Sequence, residues 1–154
     1  MTERRDRIDD ARVATRARFA RLVARPEADI DLAVAALVIA AHGRSAPDED
    51  AVLDHLDHLA QRARIRLDEG DPIDEVVDRL HDVLYREVGY RGPTAAEYAD
   101  PANSLLDAVV ERRIGLPISL AIVELETAWR LGLPLVGIGL PGLFIVGGPD
   151  GLLT

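Results

Sequence analysis

Apolar residues recur along this chain at helical spacing for most of its length and at strand spacing near its end. Ile8, Ala11, Thr15, Phe19, Leu22 and Val23 give residues 8–24 one loose apolar face, which predicts a moderately amphipathic helix ended by Pro26. Residues 32–41 are almost entirely Ala, Val, Leu and Ile, so the second helix is expected to be buried on several sides. Asp29 or Asp31 is its cap and His42-Gly43 its close. A third helix is predicted over 47–67. Asp48, Glu49 and Asp50 suit its N-terminal dipole, and Leu53, Leu56, Leu59, Ala60, Ala63 and Leu67 form its core face. After a turn at 68–72, a fourth helix over 72–88 buries Ile73, Val76, Val77, Leu80, Leu84 and Val88, with Gly89 as C-cap.

Residues 90–102 change to Gly, Pro, Thr, Ala, Tyr and Asp and read as a loop. Beyond it the pattern sharpens. Asn103-Ser104 supplies a cap for a short helix over 105–113, which Gly115 closes in a left-handed conformation. Pro117 opens the next helix, at the position where its fixed φ fits and its missing N–H had no partner. From Ile118 to Leu131 apolar residues cover most of the circumference, interrupted by Glu124, Glu126 and Arg130, so this helix belongs at the centre of the fold. A buried carboxylate needs a partner, and Arg112 or Arg113 is the expected one. Strands are predicted over 135–140 and 143–146, joined at Pro141-Gly142, with Leu152-Leu153-Thr154 reading as the start of a third.

Composition narrows the chemistry. The chain has 154 residues, 48% of them hydrophobic, enough for one domain to bury a core. It contains no cysteine, which excludes disulfides, thiolate metal sites and a thiol nucleophile. Its 18 basic residues are all arginine, which excludes Schiff-base chemistry. Against them stand 27 acidic residues, for a formal charge of −9, a balance that argues against nucleic acid as a partner. The arginines among the first 25 residues are interleaved with Asp6, Asp9 and Asp10 above a thin apolar face. They read as a solvated surface and not as a membrane-binding one. No apolar segment follows Met1, so the expected location is the cytoplasm. The uncharged run 131–149 approaches the length of a membrane span, but its Gly and Pro content fits strands and turns instead.

The run NSLLDAVVERRIGLPISLAIVELETAWRLGLPLVGIGLPGLFIV, residues 103–146, resembles the SirB-type branch of the transglutaminase-like superfamily, whose pattern is roughly NSxLxxVLExRxGxPIxLxxxxLExAxRxGLPxxGxxxPGHFxV. The likeness extends more weakly through DIDLAVAALVIA and VLYREVGYRG, covering the chain from about Pro26 onward. It implies an α+β, mainly α fold: a helical region over 1–92 packed on a partial transglutaminase-like, papain-like core over 93–154 with two or three antiparallel strands. It also implies a nucleophile at the start of the central helix, facing a histidine and then an acid on neighbouring strands. Pro117 stands at the nucleophile position and Leu143 at the histidine position, and neither can attack or accept a proton. Asp150, in a turn, is a poor substitute for the third member.

Ser119 is the only hydroxyl in the first turns of that helix and the one candidate for a replacement nucleophile in an acyl-transfer or hydrolytic enzyme. The more economical reading of it is a small residue packed inside a helix. Asp54, His55, Asp57 and His58 are spaced like metal ligands but lie on a surface helix without a further ligand at fixed spacing, so neither metal nor cofactor is expected. The function expected is therefore non-catalytic: an interaction or regulatory module, with a protein partner or self-association through the edge of the strand 143–146. Members of the SirB-type family have been associated with regulation, and some carry tetratricopeptide repeats after the core, which points the same way. The end of the sequence just after GGPDGLL also suggests a fragment of a longer SirB-type protein.

Overall fold

The computed structural model describes residues 2–43 and 47–148. Six helices lead to a β-hairpin: α1 Thr2–Val23, α2 Leu32–Gly43, α3 Glu49–Arg64, α4 Ile73–His81, α5 Leu106–Arg112, α6 Pro117–Arg130, β1 Val136–Leu140 and β2 Leu143–Gly147. The architecture is thus mainly helical α+β. Its core draws on both halves of the chain, from Ala33, Leu37, Leu56 and Leu80 through Val109, Val123 and Leu125 to Val146. The expected third strand at Leu152-Leu153-Thr154, and Asp150, lie outside the described residues.

The start of α2 shows how the halves are joined. A helix leaves its first N–H groups unpaired, and here two of them find acceptors from very different distances along the chain. Asp31 Oδ1 accepts from Val34 N–H at 2.9 Å, so Asp31 is the cap. Ala33 N–H donates to Oε1 of Glu126, 93 residues away in α6, at 2.8 Å. Glu126 also receives Arg130 Nη1 at 2.6 Å, and Arg130 reaches Asp57 of α3 at 2.6 Å. One carboxylate and one guanidinium therefore fasten α2, α3 and α6 together.

Several local readings of the sequence are corrected. Asn103 is not a cap: it lies in a 3₁₀ turn over Pro101–Ser104, fully buried, and α5 begins at Leu106 without a side-chain cap. Its side-chain amide donates to the Glu97 carbonyl at 2.8 Å, and its backbone carbonyl accepts from Leu116 N–H at 3.0 Å, tying the loop 93–104 to the start of α6. Gly115 does not adopt the left-handed conformation; Arg113 does, at φ 60°. Gly115 is required for a different reason, since a Cβ there would lie 2.9 Å from Val109 Cγ1. The helix predicted over 72–88 is α-helical only to His81 and continues as a π-helical turn over Asp82–Glu87, in which Val88 N–H donates to the Val83 carbonyl at 3.0 Å. Ile73, expected in the core, is largely exposed.

The uncharged C-terminal run is the hairpin. Gly132, at φ 81°, ends α6 in a Schellman arrangement, with Leu133 N–H donating to Ala128 O and Gly132 N–H to Trp129 O, both at 3.0 Å. Trp129 Nε1 then donates to Leu135 O at 2.8 Å and fixes the entry to β1. The strands pair in the order Val136↔Gly147, Gly137↔Val146, Ile138↔Ile145, Gly139↔Phe144 and Leu140↔Leu143. Residues paired directly across a ladder share a face. One face therefore carries Gly137, Gly139, Phe144 and Val146, and it turns toward α6: a Cβ on Gly137 would lie 2.6 Å from Phe144 Cζ and 3.4 Å from Leu125 Cδ1. Gly137 makes room for Phe144, whereas a Cβ on Gly139 would meet nothing within 4 Å.

Candidate functional site

The positions that the family pattern would use for chemistry come first. Pro117 occupies the first turn of α6, as expected for a helix opener. Ser119 follows it with 3% of its surface exposed. Leu143 begins β2 and is 54% exposed. No titrating side chain stands at either family position. Among the described residues, no three His, Cys, Asp or Glu side chains converge as a metal site would. The Asp54–His58 cluster is dispersed: Asp57 pairs with Arg130, His58 is exposed, and His55 Nε2 turns inward to the Tyr90 hydroxyl at 3.0 Å. Burial lowers the His55 pKa, with Arg113 adding to the effect.

A second cluster was not legible as one in the sequence. Glu124, in the middle of α6 and 6% exposed, does not pair with Arg112 or Arg113 as expected. Arg112 instead meets Asp100 at 3.1 Å. Glu124 Oε1 accepts from His81 Nε2 at 3.0 Å, and Oε2 accepts from the Tyr85 hydroxyl at 2.6 Å. His81 is the last residue of α4 and Tyr85 sits one turn further, inside the π-helical turn, so both reach the same carboxylate. The hydrogen bond to Glu124 raises the His81 pKa against the lowering effect of burial. Burial, then Glu124, push the Tyr85 phenol far up, so it remains a donor. A cleft of about 550 Å³ opens beside them, lined by Glu75, Asp78, Arg79, His81, Asp82, Tyr85 and Arg86. Glu124 lies five positions beyond Ser119, about 140° around the helix and about 7.5 Å along it. The histidine–carboxylate pair and the candidate hydroxyl thus stand on different faces of α6.

The third feature is the outer face of the hairpin. Val136, Ile138, Leu140, Leu143 and Ile145 share it, opposite the face packed on α6. Val136, Leu140 and Leu143 are 43%, 47% and 54% exposed, and no charged residue occurs between Leu131 and Gly148. Together they form a contiguous apolar face on a chain of net charge −9. Its signal in the sequence was the alternation of glycine with aliphatic residues in VGIGL, which puts the aliphatics Val136, Ile138 and Leu140 on one face and leaves Gly137 on the other, against Leu125 of α6. No helix of the described residues is long and apolar enough to cross a membrane.

Comparison with known proteins agrees with the resemblance in the sequence. The family model of the transglutaminase-like superfamily matches residues 50–151. A UPF0162 protein of Xylella fastidiosa is 51% identical over 73 residues, which cover 46% of this chain and 26% of that one. A UPF0162 protein of Pseudomonas aeruginosa is 48% identical over 50 residues, 32% of this chain and 18% of that one. Mouse F-box only protein 21 is 32% identical over 72 residues, 47% of this chain and 11% of that one. The matched segments thus span about a quarter or less of these relatives. No solved structure matches.

Proposed function

The chain belongs to the transglutaminase-like superfamily, in its SirB-type branch, and from that premise we propose that it is a non-catalytic protein-interaction module whose contact surface is the outer face of the hairpin. The observation that carries this reading is the row of Val136, Ile138, Leu140, Leu143 and Ile145 facing away from the core. Covering a half-exposed aliphatic side chain contributes on the order of 1 kcal/mol, so Val136, Leu140 and Leu143, with the partly buried Ile138 and Ile145 between them, favour association where isolated apolar residues would not. The face has no charge pattern by which to choose a partner. A second copy offers the same uncharged face, so no charge has to be desolvated where the two faces meet. Such an isologous contact is the common route to a two-fold dimer.

The catalytic alternative fares worse on the same residues. Proline and leucine stand at the expected nucleophile and base, and Ser119 is buried away from the histidine–carboxylate pair. A fluorophosphonate probe should therefore label the native chain no more than a denatured control, and Ser119→Ala should leave that result unchanged. Labelling of native protein that Ser119→Ala removes would restore the enzyme reading.

The interaction reading is tested at Ile145. Ile145→Glu places a charge in the centre of the outer face, where association would have to desolvate it. Association should weaken at least about tenfold, the equivalent of about 1.4 kcal/mol, with helical circular dichroism unchanged, whereas Ile145→Val should associate almost as wild type does. Equal association of the glutamate variant would remove the face from the account.

A further inference from the structure

We infer that His81 is a proton-operated latch, fastening α4 and the π-helical turn to the central helix through Glu124 and so controlling how far the cleft beside it opens. Geometry carries the inference. His81 and Tyr85 bracket the junction between α4 and the π-helical turn, and both grip one buried carboxylate, at 3.0 and 2.6 Å. Their rings lie 5.5 Å apart at 55°. With nine residues α4 is too short to be stable alone, and it is held by Leu80, Val83 and Leu84 in the core together with the grip on Glu124. The turn after it uses the less common wide hydrogen-bond pattern, often associated with functional sites.

The charges around His81 all favour its protonated form. Glu124 faces it from α6, Asp78 from its own helix and Asp82 from the start of the π-helical turn. The cations on neighbouring elements are engaged elsewhere. Arg79 and Arg86 sit on Asp82, Arg62 of α3 and Arg66 just after it converge on Glu87, and Arg130 of α6 is held by Asp57 and Glu126. Tyr85 stays protonated and donates at every relevant pH.

The sign follows from linkage. With the latch closed, the His81 pKa lies above its ordinary value; with the latch open, the ring faces water and returns to about 6.5. Closing therefore takes up a proton. The latch has its full strength below the open-state value and loses it as pH rises through the closed-state value.

Hydrogen–deuterium exchange measured at about pH 6 and about pH 8, each corrected for intrinsic rates, tests this on the intact chain. Protection of the amides of residues 82–90 should fall at least about threefold between the two conditions in wild type, while that of α2 amides should not change. His81→Gln and Glu124→Gln should each abolish the difference, and the first keeps the test valid if the second fails to fold. Protection independent of pH in wild type, or the same pH dependence in His81→Gln, would overturn the latch.

Discussion

Glu126→Ala is expected to destabilise the protein by about 3 kcal/mol, the largest loss of any single substitution considered for this chain. The carboxylate has two duties that no neighbour can take over. It accepts from Ala33 N–H, which is fully buried at the start of α2, so its removal leaves a buried donor without an acceptor. That alone costs about 1–3 kcal/mol. It also holds Arg130 in place, and Arg130 in turn carries the contact to Asp57 on α3. Thermal unfolding should move down by roughly 6–12 °C for a chain of this size. Glu126→Gln keeps a carbonyl for Ala33 and gives up only the ionic part, so it should lose less than half as much. If the two variants are equally destabilised, the hydrogen bond to α2 is not what Glu126 provides.

The second large effect is at Gly115. The cause is steric, because the residue's φ is not in the left-handed region. A methyl group would lie 2.9 and 3.1 Å from the two Cγ atoms of Val109 and 3.3 Å from Leu120 Cδ2. Val109 is fully buried and β-branched, so it cannot swing aside as a long side chain would. The backbone is equally constrained, since Gly115 N–H donates to Arg91 O at 3.2 Å and Arg91 N–H donates to Arg113 O at 3.0 Å. Gly115→Ala should therefore cost about 1–3 kcal/mol in chemical denaturation. Adding Val109→Ala, which vacates the space, should cost less than the sum of the two single changes by at least about 0.5 kcal/mol. Strict additivity would mean that the contact with Val109 is not the cause.

These residues also show what could be read in the sequence and what could not. Patterns with a local cause were legible. The apolar spacing of α3 and of α6, Pro117 at a helix start, and the turn at Pro141-Gly142, where Gly142 takes φ 73°, all depend on residues a few positions apart. What escaped depends on distant partners. Glu124 was expected to meet Arg112 or Arg113, its neighbours in sequence, but the helix packing brings it His81, 43 residues earlier. Asn103 looked like a cap because such residues commonly are. Only the return of the loop onto α6 makes it a buried tie. The π-helical turn has no signature of its own, because a helical apolar pattern continues through it. Gly115 reads as a left-handed helix close, but Arg113 takes that conformation and Gly115 is set by its approach to Val109.

The hairpin divides in the same way. Its strands and turn were legible, whereas the assignment of its faces needed the register. Once Ile138 pairs with Ile145 and Gly139 with Phe144, one face is committed to α6 and the other is left apolar and outward. The sequence reading placed the contact along a strand edge. The register shifts the proposal to the face, and Leu143 and Ile145 belong to both.

That proposal is tested most directly by sedimentation equilibrium of the wild-type chain over a wide concentration range. The account predicts that the weight-average mass rises from 16.8 kDa toward twice that value as concentration increases toward about 100 µM, in a reversible monomer–dimer equilibrium. A mass fixed at 16.8 kDa throughout that range would contradict it, since the outer face of the hairpin would then fail to find its own complement.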